Sequence, residues 1–401
     1  MSAQSRFIPP IAPIAITAWT AASSLGDGRA AMLAALQEDR SGLQPNDFTH
    51  QPLPTWIGRH RELEDTRLPA ALVPWDCRNH RLAWRGLQAD GFIDAVASAR
   101  DRLGAARIAV VMGTSTSSIG ATEDAYRALD ADGRFPADQR RPRVHTLHSI
   151  AAFVQQALAL AGPCLTVSTA CSSSAKAFAT AERLLRLGLV DAAVVGGADT
   201  LCGSVLFGFN ALQLVSSRPC RPFDEARDGI NLGEAAGFAL LERGPAELML
   251  TGYGESSDAH HMSAPDPSGS GAEHALDDAL SRAGLDTTQI DHIALHGTAS
   301  AQNDAAEAAL VARRFGDGVH ASSTKGLTGH TLGAAGIVNA AFALTALTTG
   351  WMAGTVGAER LDSGCGPQIR LRPARAEVRR VLSHSFGFGG TNCVLAFERA
   401  A

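Results

Sequence analysis

Runs of Val, Ile, Leu and Ala with no polar alternation recur along the chain, separated by longer stretches whose apolar residues fall three or four positions apart. Strands buried on both faces of a sheet read as such runs, and the intervening spacing is that of helices. The pattern predicts strands at residues 11–18, 107–112, 163–168, 192–196 and 237–242, then at 248–254, 292–296, 319–322, 378–384 and 393–397. Helices fit at 172–187, 271–283, 305–315 and 333–347. The fold class is therefore α/β. The segment from Glu38 to Arg85, rich in Pro, Arg and Trp and weak in periodicity, reads as an insertion of loops and short helices.

Two uncharged stretches imitate other classes. Residues 8–26 carry no charge until Asp27's neighbourhood, but Pro9, Pro10 and Pro13 interrupt a helix and Arg6 is the sole basic residue before them, so a leading strand is expected rather than a signal peptide. Residues 332–350 reach the ~20 residues a membrane span needs. Their small side chains and the internal Asn339 suit a helix buried on all sides instead.

The halves resemble each other. IAVVMGTSTSS from Ile108 matches HIALHGTASAQ from His292 in type, and Ser168-Thr169-Ala170-Cys171 has its counterpart in Ser323-Thr324-Lys325, each followed by a helix of small residues. A duplicated α/β unit is expected, with residues 1–245 and 246–401 as the two halves and the join at 243–247.

Composition narrows the function. With 45% hydrophobic and 19% charged residues and a net charge of −5, the chain is globular, not disordered, and not a basic nucleic-acid-binding domain. Of 35 basic residues only Lys176 and Lys325 are lysine, which draws attention to both. Seven cysteines form no CxxC and no paired framework, and read as reduced thiols of a cytoplasmic protein.

The strongest chemical signal is TVSTACSSSAKAFATAERLLRLG. Cys171 follows a strand and opens a helix, where unpaired N–H groups and the helix dipole favour thiolate. A buried, inert thiol is the competing interpretation, and it holds for Cys164, Cys202 and Cys393, which lie in apolar strand-like runs. His296 leaves the strand HIAL, and His330 sits in the glycine-punctuated loop STKGLTGHTLGAAG with Lys325 close by. A lone histidine is usually structural; two at such exits point to catalysis. Asp258, His260, His261 and Met262 lack a spacing that completes a metal site, and no phosphate-binding glycine motif is present.

Eight segments in order, GTSTSSIG, STACSSS, VVGGAD, RPFDEARDGINLGEAAG, SSDAHHM, HGTASAQNDAAE, STKGLTGHTLGAAG and SHSFGFGGTN, make the chain resemble the β-ketoacyl-acyl-carrier-protein synthases, condensing enzymes of the thiolase fold. The resemblance implies a five-layered αβαβα architecture built from two duplicated halves. It places the nucleophile at Cys171, the two histidines at His296 and His330, the STKG lysine at Lys325, and supporting carboxylates at Glu307 and Asp304. It gives Phe388 an oxyanion-hole N–H shared with Cys171 and a gating ring, and assigns substrate contacts to Thr298, Ser300 and Phe386. It implies no bound cofactor and no metal, 4'-phosphopantetheine arriving on acyl carrier protein, and a homodimer or a heterodimer with a chain-length-factor-like subunit, without nucleic acid or a membrane span. Lys176 departs from the histidine of many relatives.

The implied chemistry needs these residue types. A thiol both attacks a thioester and leaves again. Two neutral imidazoles can stabilise the enolate formed when malonyl carrier protein loses CO2, with Lys325 tuning them and Glu307 tying Lys325 down. A thiolase would carry a second cysteine in place of one histidine, and a chain-length factor would lack the nucleophile, so a scaffold subunit and a thiolase-type acyltransferase are the lesser alternatives. The STACSSSAK segment also resembles synthases of secondary pathways such as aryl polyene assembly.

Overall fold

The computed structural model describes residues 9–400, so Arg6 and Ile8 lie outside the described residues. Ten principal strands are β1 Ile14–Ser23, β2 Ile108–Gly113, β3 Cys164–Val167, β4 Ala192–Asp199, β5 Ala235–Glu242, β6 Leu248–Ser257, β7 His292–Ala294, β8 His320–Ser322, β9 Arg380–Gly387 and β10 Thr391–Arg399. Each coincides with an expected strand, with ends shifted by a few residues.

Their order repeats. In the first half β1 pairs antiparallel with β5, β5 antiparallel with β4, β4 parallel with β2, and β2 parallel with β3. In the second half β6, β10, β9, β7 and β8 follow the same sequence of directions. The two strand sets are therefore one unit used twice, and they meet where Ile14 and Ala15 pair with Leu250 and Met249.

Eleven helices accompany them: α1 Gly28–Gln37, α2 Arg78–Gln88, α3 Phe92–Leu103, α4 Ile119–Arg127, α5 Ser149–Ala157, α6 Ser173–Arg186, α7 Gly203–Ala211, α8 Ser270–Ala283, α9 Ala301–Arg314, α10 Lys325–Thr328 and α11 Ala335–Thr349. The equivalent helices α6 and α11 touch each other and strands of both halves, forming the central layer. Helices α2, α3 and α5 cover the outer face of the first half, and α8 and α9 that of the second. This is the expected αβαβα arrangement.

Small residues make the central layer possible. A Cβ added at Gly336 of α11 would stand 2.4 Å from the backbone nitrogen of Ala175 on α6, and one at Gly113 would stand 2.2 Å from that of Ser174. The segment Leu332–Thr349 is long and apolar enough to cross a membrane, yet 89% of it is buried inside the chain. Asn339 donates from that interior to the carbonyls of Leu295 and His384, at 3.1 Å each. The insertion holds strands Gln44–Pro45 and Trp56–Gly58, which join Leu232–Gly233 in a small sheet. Cys202 precedes α7 rather than lying in a strand. All seven cysteines are free.

Candidate active site

The C-terminal ends of β3, β7 and β8 open onto the same central region, and each delivers part of one cluster. Cys171 lies between β3 and α6, presented by a tight bend in which Ala170 adopts a φ of 51°. Its Sγ is 3.0 Å from His330 Nε2. Burial pushes the thiol up to about 11, against the charge of Lys325 and the N–H groups of Phe388 and Cys171 itself, which lower it. The expectation that the site favours thiolate is thus corrected: Cys171 is only 4% exposed, and desolvation outweighs the Lys325 charge and the two N–H groups.

His296 and His330 are buried with rings at 86° and centroids 5.5 Å apart. Burial, then the charge of Lys325, holds both well below the ordinary histidine value, so both are neutral. Neither Nδ1 has a hydrogen-bond partner, which leaves both tautomers open. Cys171, His296 and His330 bring their ligand atoms within 4.8 Å of one another, so this trio is also where a soft metal ion could be held.

Lys325, at the start of α10, donates its Nζ to the His296 carbonyl. Burial lowers it to about 8, with Glu307 acting in the opposite sense. Glu307 does not form an ion pair with Lys325, contrary to expectation. Its carboxylate instead accepts the N–H groups of His296 at 2.8 Å and Gly297 at 2.7 Å, and faces His384 Nδ1 at 3.0 Å. Asp304, one turn earlier on α9, accepts N–H groups from Thr298, Ala299 and Phe223. Burial raises it to about 6. The two carboxylates thereby strap the loop from His296 to Ala299, where Gly297 and Ala299 both take positive φ.

The cluster floors a narrow crevice of about 40 Å³ whose walls include Thr298, Ser300, Asn303, Phe386, Phe388 and Asp258. All the sequence-expected side chains except Lys325, Glu307 and Asp304 line it; those three stand behind. Thr298 Oγ1 and Ser300 Oγ are 3.0 Å apart. The Phe388 ring stacks on Phe209 of α7 at 5.4 Å, and Phe209 meets His330 edge-on at 6.5 Å.

Phe209, His384 and Asp199 were not singled out by sequence reasoning. Asp199 is buried at the end of β4 and receives N–H groups from Ser115, Thr116 and Gly333, locking the GTSTSS loop to the turn that follows His330. The VVGGAD and SHSFGFGG segments contain the last two residues, so the signal was present without a role attached. A larger, open groove between α4, α7 and the insertion is lined by Arg78, Arg81, Tyr126 and Arg141, and contains none of the three clustered groups.

Comparison with known proteins agrees with this geometry. The chain matches the family described as Beta-ketoacyl synthase, N-terminal domain, over residues 77–246, and its C-terminal domain over 248–359. It is 35% identical to nodulation protein E of Rhizobium meliloti (strain 1021) and 33% identical to 3-oxoacyl-[acyl-carrier-protein] synthase 2 of Vibrio cholerae, each over 74% of this chain and 76% of the relative. Among solved structures, a ketosynthase (ApeO) in complex with its chain length factor (ApeC) from Xenorhabdus doucetiae superposes with a TM-score of 0.89 at 35% identity, covering 100% of both chains.

Proposed function

The chain belongs to the β-ketoacyl synthase family of condensing acyltransferases, and on that premise we propose that it joins a Cys171-bound acyl chain to malonyl carrier protein with loss of CO2. The observation that carries this reading is the 3.0 Å approach of the Cys171 sulfur to His330 Nε2, beside a second neutral imidazole, at the base of a crevice.

In the loading half-reaction, Cys171 Sγ attacks the carbonyl carbon of an acyl-pantetheine thioester. Its proton passes by His330 Nε2, the nitrogen within reach, to the departing pantetheine sulfur. A neutral thiol beside a neutral base suits this: the charge appears only as the bond forms. The N–H groups of Cys171 and Phe388, which already point at the sulfur, meet the oxyanion. Thr298 and Ser300 offer hydroxyls to the pantetheine arm, and Phe386 and Phe388 its apolar walls.

In the second half-reaction malonyl pantetheine loses CO2, and the electron pair moves onto the thioester oxygen, where the Nε2–H tautomers of His296 and His330 stabilise it. The resulting carbon nucleophile attacks the acyl-Cys171 thioester and expels the thiolate, which takes one proton from solvent per turnover. Lys325 and Glu307 act from behind, on the His296 backbone.

The carrier protein and a second, chain-length-factor-like or identical subunit are the proposed partners. Two features support a paired chain: β3 is an open edge strand, and Ile119, Tyr126, Leu129, Leu147 and Leu165 are exposed apolar residues. The Xenorhabdus relative is itself paired with such a factor. The domain boundary at 245/246 and a cytoplasmic, reducing location belong to the same proposal.

Intact-mass analysis after offering acyl carrier proteins of differing length and saturation tests it. The wild type should gain one acyl group and release CO2 from malonyl carrier protein, and the chains that load best would speak for or against an aryl polyene-like product. Cys171→Ala should gain none, and His330→Ala should lose CO2 release. Acylation of Cys171→Ala at another site, with elongation intact, would overturn the assignment.

A further inference from the structure

His384 is a histidine the condensation chemistry does not call for. It sits in β9 on the face shared by Leu382 and Phe386, looking toward α9, and its side chain is completely buried. Its Nδ1 is 3.0 Å from Glu307 Oε1, and Nε2 has no partner. Leaving a buried ring nitrogen unpaired costs free energy that an apolar side chain would not. The ring is therefore kept for what its other edge does.

That edge acts on the one oxygen that also receives the His296 N–H. Glu307 Oε1 has two lone pairs, and these are filled by His296 N–H at 2.8 Å and His384 Nδ1–H at 3.0 Å. Glu307 rides on α9 while His384 belongs to a central strand, so the contact fixes the carboxylate to the sheet. A second route runs through rings: Phe386 lies between His384, at 5.2 Å, and His296, at 6.0 Å. A third joins the backbones, since Asn339 donates both to the His384 carbonyl and to that of Leu295, the neighbour of His296.

We propose that His384 is a positioning residue for decarboxylation, setting the stance of the His296 imidazole through Glu307 and Phe386. The inference rests on the condensing reading above and deepens it. The Glu307 route ends on the His296 backbone, whereas the sulfur of Cys171 is met by His330, so the two half-reactions should separate.

The test uses three variants of the full chain. In His384→Asn the amide Nδ2 falls where imidazole Nδ1 was, and the donor to Glu307 is retained. In His384→Leu the shape at that atom is kept and the donor is lost. His384→Gln moves the donor one atom outward and stands in for the leucine variant if that one does not fold. Expected for Leu or Gln is a fall in CO2 release from malonyl carrier protein of about tenfold or more, the scale of a misplaced reacting group. Cys171 acylation should keep its wild-type rate, and His384→Asn should recover most of the decarboxylation. Equal rates in wild type and His384→Leu or Gln, equal loss in the asparagine variant, or parallel loss of both half-reactions would each overturn the proposal. A wild type that neither loads nor decarboxylates would instead overturn the condensing reading itself.

Discussion

The single side chain that sets the pH behaviour of the site is Lys325. Lowered to about 8 by burial, it stays protonated at neutral pH and gives up its charge as pH rises through that value. While charged, it adds to burial in keeping both histidines neutral, opposes the rise of the Cys171 thiol, and sets a positive charge behind the place where the enolate's negative charge develops, a contribution lost on deprotonation. CO2 release from malonyl carrier protein should therefore be level near pH 7 and decline above about pH 8; a rate that stays flat to pH 9.5 would remove Lys325's charge from the chemistry. The three reactive residues were legible in the sequence because each closes a recognisable segment at a strand or loop exit. Their protonation was not, because whether a helix N-terminus or desolvation governs a thiol depends on how deeply the fold buries it. The partner of Glu307 was equally hidden: only in three dimensions does its carboxylate turn to backbone N–H groups and His384 instead of Lys325.

Among elements, the contact between α6 and α11 determines how the two halves present their loops to one another. Gly336→Ala places a methyl group against the Ala175 backbone, which cannot rotate away. A loss of roughly 1–3 kcal/mol is expected, the scale of overpacking. Urea unfolding should show a lower midpoint with an unchanged slope; an unchanged midpoint would mean the helices have slack. Most of the ten strands were readable because burial on both faces leaves uninterrupted apolar runs; β3, at the sheet edge with Leu165 exposed, was readable from its apolar run although neither face is fully covered. Several helices were not, for separate reasons. In α4 only Ala125 is buried, so no stripe forms. Helix α7, GSVLFGFNA, is apolar all round and shows no period, although it carries Phe209 to the site. The expected helices lacked neither length nor stripe, except α11, which its small residues and Asn339 revealed.

For the molecule as a whole, the duplicated architecture buries an unusual set of neutral histidines, and this ties stability to pH. Burial lowers His80 to about 4 and His292 to about 3, lowers His320, and holds His296 and His330 well below the ordinary 6.5. None of the first three is idle: His80 bonds the Trp75 carbonyl, His292 that of His320, and His320 that of Ala353. A histidine with a depressed folded-state pKa contributes fully above the unfolded value. As pH falls below about 6.5 the unfolded chain takes up protons that the folded chain refuses, and stability drops until the folded values near 3 to 4 are reached. Asp304, raised to about 6, and Asp199 and Asp278, also raised by burial, act in the reverse direction, but they are three carboxylates against five imidazoles. The urea midpoint should thus decrease steadily from pH 7 to pH 5. His292→Asn, which keeps a donor to the His320 carbonyl and removes one titrating ring, should flatten part of that slope. A midpoint constant across the same range would show that the buried rings find protonated states the packing does not display, and the neutral His296 and His330 on which decarboxylation depends would come into question with them.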